Sequence, residues 1–181
     1  MNALVQTATR GPTESSRAPA QDPTQYLTFM LRGEVYAIGI LSIKEIIEYS
    51  GLTGVPMMPA TIRGVINLRG AVVPVVDLLA RFGRASSAVT KRTCVVIVEA
   101  VCGTDERHVM GLLVDAVNEV LDIAPADIEP PPAFGARLRS DFIQGVGKVR
   151  GKFVLLLDVD RVLSVDEIAG CAESVAEPVA A

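Results

Sequence analysis

From Tyr26 onward, short apolar runs alternate with polar or glycine-containing breaks, a rhythm that predicts strands and turns and leaves no room for long helices. YLTFML and VYAIGI are β-rich runs separated by Arg32-Gly33-Glu34, a connection of hairpin length. In LSIKEIIEYS the period changes. Ile43, Ile46 and Ile47 fall at i, i+3, i+4 with Lys44 and Glu45 between them, which predicts a short helical turn or a twisted strand. After LTGVP, a strand over Gly64 to Leu68 turns at Arg69-Gly70 into another over Ala71 to Val76. Asp77 then precedes LLARF, the position of a residue that caps a short helix by accepting hydrogen bonds from free backbone N–H groups.

The second half restates this order. Ile62 to Asp77 reads IRGVINLRGAVVPVVD and Ile143 to Asp158 reads IQGVGKVRGKFVLLLD, without a gap, at an offset of 81 residues. CVVIVEAV and HVMGLLV are strands, DAVNEVLDI matches LSIKEIIEY when Glu119 is laid on Glu45, and Asp158 precedes VDRVL as a second cap. The chain therefore carries one supersecondary unit twice. Each copy has about five short strands with glycine-containing turns, which predicts a mainly β fold of two small barrels in tandem with short helices at strand connections. A single large sandwich is the alternative. The copies differ in that only the first has Asn67-Leu68 before its Arg-Gly turn, and only the second is preceded by a Pro-rich connection, APADIEPPPAFG, ending near Phe134.

Composition narrows the classes. Residues 1–24 are rich in Thr, Ser, Ala, Pro and Gln with no apolar period and are expected to be a disordered tail; 169–181 is expected to be a flexible C-terminal tail. The formal net charge is −4, with no run of Lys or Arg longer than a pair and no surface aromatic pattern, which argues against nucleic acid as a partner. No apolar run approaches the ~20 residues of a membrane-spanning helix, and the N-terminus lacks a signal-peptide core, so a cytoplasmic protein without membrane insertion is expected. Cys94, Cys102 and Cys171 are irregularly spaced and read as small hydrophobes, not as a disulfide framework.

No catalytic set, metal site or cofactor motif emerges. His108 is the only histidine and reads as a strand-end residue. Asp158, Asp160, Asp166 and Glu167 lack the glycine and alternating oxygen ligands of a calcium loop, and Gly145 to Gly151 misses a phosphate-cradle spacing. What remains is Glu45 and Arg69, either an ion pair that fixes the NLRG turn or two unrelated solvated charges.

The string Gly64-Val65-Ile66-Asn67-Leu68-Arg69-Gly70 followed by Pro74-Val75-Val76-Asp77-Leu78 resembles the signature of the CheW family of bacterial chemotaxis. The likeness continues through FMLRGEVYAIGILSIKEI, GLLVDAVNEVL, PPPAF and IQGVGKVRGKFVLLLDVDRVL. The resemblance implies a CheW-like domain over 25–168, made of two intertwined SH3-like five-stranded barrels dividing at about 25–90 and 91–168. It also implies no enzymatic activity and no cofactor. Its partners would be the regulatory domain of the histidine kinase CheA and the cytoplasmic tip of methyl-accepting receptors, in membrane-associated arrays. By matching position, Ile43, Glu45, Gly64 and Arg69 would belong to receptor coupling. Ile47, Leu52 and Ile66 would form the kinase face of the first barrel, and Phe134 would meet a neighbouring kinase domain from the second. An adaptor of a non-flagellar chemosensory pathway, serving pili or a second messenger, is the alternative function. Met57-Met58 is unusually apolar for the family between its flanking prolines.

Overall fold

A computed structural model describes residues 22–86, 88–102, 105–131 and 142–164. Its strands are β1 (Thr24–Leu31), β2 (Glu34–Gly39), β3 (Ile43–Glu48), β4 (Ile62–Leu68), β5 (Ala71–Asp77), β6 (Cys94–Cys102), β7 (Glu106–Val114), β8 (Ala116–Ile123), β9 (Ile128–Glu129), β10 (Ile143–Val149) and β11 (Lys152–Leu157). Two one-turn helices, α1 (Leu78–Arg81) and α2 (Val159–Val162), follow β5 and β11. Asp77 and Asp158 cap them as the sequence predicts, Asp77 accepting from the backbone N–H of Leu79 and Ala80, and Asp158 from those of Asp160 and Arg161. The ambiguous LSIKEIIEYS segment resolves into a 3₁₀ turn over Ile40–Ser42 followed by strand β3.

One sheet runs in the order β8-β1-β2-β11-β10-β9 and the other β3-β6-β7-β5-β4. Each sheet therefore combines the opening hairpin of one repeat with the later strands of the other. Hairpin β1–β2 joins β8, β10 and β11 of the second repeat, while β6–β7 joins β3, β4 and β5 of the first. The equivalence holds at the level of register: β5 runs parallel to β7 with Val75 beside Gly111, and β11 runs parallel to β2 with Leu156 beside Ala37. Sheet membership therefore follows no single cut along the sequence. One subdomain is continuous from β3 to β7, and the other is split between β1–β2 and the chain after β7. The cause is local. Three residues of 3₁₀ turn carry the chain from β2 to β3, and Asp115 alone separates β7 from β8, so neither hairpin has the slack to fold back onto its own half.

The apolar residues sort into three clusters that explain why the exchanged strands read as nearly continuous hydrophobic runs. Tyr26 faces one barrel interior with Ala37, Ile123, Val154 and Leu156, while its neighbours Leu27 and Phe29 point the other way. In β6, Val95 and Ile97 face the second barrel interior with Val73, Val75 and Leu113, and Val96 and Val98 turn outward from it. The outward sets meet in the largest cluster, a layer between the barrels. Strands buried on both faces lose the polar alternation of a half-exposed strand.

At the centre of this layer Tyr36 stacks between Phe29 and Phe82, with ring centroids 6.1 and 5.9 Å away. Its hydroxyl donates to the Glu34 carboxylate at 2.7 Å. Burial, reinforced by that bond, pushes the Tyr36 phenol well above its ordinary range. A raised acid is held protonated more tightly by the folded chain, so its contribution is complete below an unfolded pKa of about 10 and is lost as pH rises beyond it. Tyr36→Phe is expected to flatten the alkaline decline of stability by up to about 1.4 kcal/mol per pH unit. At neutral pH it should cost about 1 kcal/mol or less. Urea denaturation at stepped pH measures both.

Candidate functional site

Arg69 and Gly70 occupy the turn between β4 and β5, both with positive φ (52° and 87°), the backbone shape of a type I′ hairpin. The Asn67 side-chain oxygen accepts from the Gly70 N–H at 2.8 Å and closes the turn. This construction aims the Arg69 guanidinium at β3, where Nη2 meets Glu45 Oε2 at 2.9 Å. Glu45 sits at a β-bulge: Ile43 pairs with Val98 and Glu45 with Ile97, so β3 carries one extra residue between them. Bulges re-aim side chains. Of the two sequence readings for these charges, the structure selects the ion pair.

The pair spans a cleft of ≈560 Å³ lined also by Val72, Arg107 and His108. Val72 is an exposed apolar residue beside the turn. Arg107 and His108 come from β7, the hairpin that the second repeat inserts into this sheet, so they escape any reading of the first repeat alone. An exposed guanidinium held in place by a carboxylate, next to an uncovered apolar side chain, suits the recognition of a protein surface and offers no nucleophile–base pair for catalysis.

The other expected receptor-facing residues lie elsewhere. Ile43 packs against the layer between the barrels. Gly64 is buried on β4, five residues before Arg69, and a Cβ there would stand 2.7 Å from the Thr53 carbonyl oxygen. Its smallness lets the segment after β3 bond to the β4 edge, where the Thr53 N–H donates to the Val65 carbonyl and the Val65 N–H to that of Thr53. Gly64 thus shapes the barrel and presents no surface.

Ile47, Leu52 and Ile66, the expected kinase face, come together as half-buried residues packed on the interior cluster of Val73, Val75, Val95, Ile97 and Leu113. The more exposed apolar surface of the same barrel is carried by Ile46 on β3 and by Val55, Met57 and Met58 in the segment after it; Met57 is 94% exposed. The unusual Met57-Met58 pair was the available signal for that surface. Phe134 lies outside the described residues. Among the described residues no group of His, Cys, Asp and Glu is arranged to hold a metal ion, and no helix is long and apolar enough to cross a membrane.

A family model described as the CheW-like domain matches residues 25–167. The chain is 32% identical to the chemotaxis protein CheW of Klebsiella aerogenes over 145 residues, covering 80% of this chain and 84% of that protein. It is also 32% identical to the chemotaxis protein CheW of Rhizobium meliloti over 143 residues, covering 79% and 89%. Among solved structures, the scaffolding protein TtCheW from Thermoanaerobacter tengcongensis superposes with a TM-score of 0.69 at 33% identity, covering 77% of this chain and 92% of that one.

Proposed function

Because this chain belongs to the CheW family, a family of non-enzymatic scaffolds of chemotaxis, we propose that it couples methyl-accepting chemoreceptors to the histidine kinase CheA. Binding energy and geometry are then the whole of its function. The observation that carries this reading is the Glu45–Arg69 pair, held at 2.9 Å beside exposed Val72. It combines a fixed cation with an apolar contact, as a site for the cytoplasmic tip of a receptor would. Glu45 and Arg69 make the receptor contact, while Ile43 and Gly64 set the bulged strand and the barrel edge behind it. The kinase regulatory domain docks on the face around Ile47, Leu52 and Ile66, reached through Ile46 and Met57, and Phe134 meets a neighbouring kinase domain. The protein works in the cytoplasm, recruited to membrane-associated arrays.

The test is assembly from purified parts. Mixed with a CheA regulatory domain and a receptor cytoplasmic fragment, the chain is expected to co-elute with each and to raise retention of the kinase on immobilised receptor. Failure to bind either partner would falsify the proposal. The kinase retained from the native organism also separates a flagellar pathway from one serving another output.

A further inference from the structure

The exchange of hairpins gives the site around Glu45 and Arg69 a structural twin on the other barrel. The offset of 81 lays Arg150 on Arg69, Gly151 on Gly70, Gly145 on Gly64 and Phe153 on Val72, and the Glu119/Glu45 alignment lays Val117 on Ile43. The twin is real in three dimensions. Arg150 and Gly151 again take positive φ (51° and 75°), and Arg150 Nη1 lies 3.8 Å from Glu119 Oε1. Glu119 also stands at a bulge, where β8 fits two residues opposite Thr28 of β1. There the Thr28 hydroxyl donates to the Glu119 carbonyl at 2.8 Å and accepts from its N–H at 3.2 Å. A Cβ on Gly145 would stand 2.9 Å from the Glu129 carbonyl oxygen, as one on Gly64 would crowd that of Thr53.

On this shared frame the surface chemistry has diverged. Between positions 67 and 72 the first hairpin carries one basic residue, Arg69; between 148 and 153 the second carries Lys148, Arg150 and Lys152. Lys148 pairs directly across the hairpin with Phe153. Phe29, Phe82 and Phe142 are buried, whereas Phe153 is 65% exposed, with Lys148 opposite it and Arg150 at the turn between them, while Lys152, its neighbour on the strand, points to the other face. The ion pair here is also longer and its carboxylate more exposed than in the first site, so Arg150 is less neutralised by its own chain. An uncovered phenyl ring with one cation directly across the hairpin and a second at the adjoining turn is complementary to carboxylates flanking an apolar residue.

We propose that the β10–β11 hairpin is a second docking surface, used by an acidic polypeptide segment that places an apolar side chain against Phe153 and its carboxylates against Lys148 and Arg150. This surface rests on the pseudo-symmetry and charge of the hairpin and does not depend on what binds at Arg69. The probe is a labelled Glu-rich peptide with a central Leu-Leu pair, titrated against the full chain by fluorescence anisotropy. Its Lys-for-Glu counterpart and phosphatidylglycerol vesicles run in parallel.

Binding of the acidic peptide is expected to weaken about tenfold in Phe153→Ser and in Lys148→Glu, to fall with added salt, and to be unchanged in Arg69→Asn. All the substituted side chains are exposed, and thermal melts of both variants verify that the fold is kept. Three outcomes would overturn the proposal: no peptide binding, equal binding by the variants, or binding of the vesicles without the peptide. Self-association of the chain that the same substitutions abolish, with no effect on the peptide, would overturn it as well.

Discussion

Arg69→Asn is expected to cut receptor binding by at least about tenfold, about 1.4 kcal/mol, while leaving thermal stability unchanged or slightly raised. The two effects separate because Arg69 is a poor choice for folding and a good one for recognition. Its φ of 52° and the 87° of Gly70 define a turn for which Asn-Gly is the favoured pair, since asparagine tolerates the left-handed region better than arginine. The bond lost, Arg69 to Glu45, joins an 82% exposed side chain to a half-buried one, and exposed pairs contribute only about 0–1 kcal/mol. What asparagine cannot replace is a guanidinium standing beside Val72, the residue type that most often dominates a protein interface. Glu45→Gln, which keeps the size of the carboxylate but frees Arg69 to move, should cost less. Calorimetric titration with a receptor fragment and a thermal melt of the same samples read both quantities. Unchanged receptor affinity in Arg69→Asn would remove this pair from the site, and Arg150→Asn serves as the matched control at the twin turn.

The Glu45–Arg69 pair was legible in the sequence because both residues interrupt apolar surroundings within one repeat. The two aspartate caps were legible because capping is local: an acidic residue between a strand and a helical turn has few other duties. Sheet membership was not. The repeated pattern is the same whether a hairpin pairs with its own half or with the other, and the choice is made by connectors of one to three residues and by strands apolar on both faces. Arg107 and His108 were invisible as cleft residues for that reason, since they reach the first repeat's site only through the exchanged hairpin. The period of LSIKEIIEYS left helical turn and twisted strand undecided for another reason. The bulge between Ile43 and Glu45 adds a residue to the two-residue alternation, and the shifted apolar positions then imitate a helical turn.

The hairpin exchange also gives a physical meaning to the largest apolar cluster. Each barrel alone is a five- or six-stranded sheet whose exchanged strands show an apolar outer face, and only apposition of the two covers it. Polar bonds tie the same layer: Arg81 Nε donates to the Val162 carbonyl at 2.9 Å, joining α1 to α2, and the Arg81 guanidinium lies 4.5 Å from the centre of the Phe142 ring. Folding of one barrel without the other would expose this layer, so the two are expected to unfold together.

Asp77→Ala is expected to destabilise the chain by about 2–4 kcal/mol, and Asp158→Ala, at the equivalent position, by only about 1 kcal/mol. The caps themselves are alike: Asp77 Oδ1 accepts from Leu79 and Ala80 at 3.0 and 3.3 Å, and Asp158 Oδ1 accepts from Asp160 and Arg161 at 3.1 and 3.3 Å. Loss of such a cap accounts for about 0.5–2 kcal/mol at either site. The difference lies in the other oxygen. Asp77 is 1% exposed and its Oδ2 accepts from Arg63 Nη1 at 2.8 Å, whereas Asp158 is partly exposed and its Oδ2 lies 3.6 Å from Arg161. Removing the buried carboxylate strands a guanidinium that has lost its counter-charge, a loss softened because Arg63 still reaches solvent. Asp77→Asn, which keeps an oxygen to cap α1 but discards the charge, should fall between the two alanine variants. Urea denaturation of all three at neutral pH gives the order, and equal costs at positions 77 and 158 would mean that the cap, not the Arg63 pair, sets the contribution of Asp77.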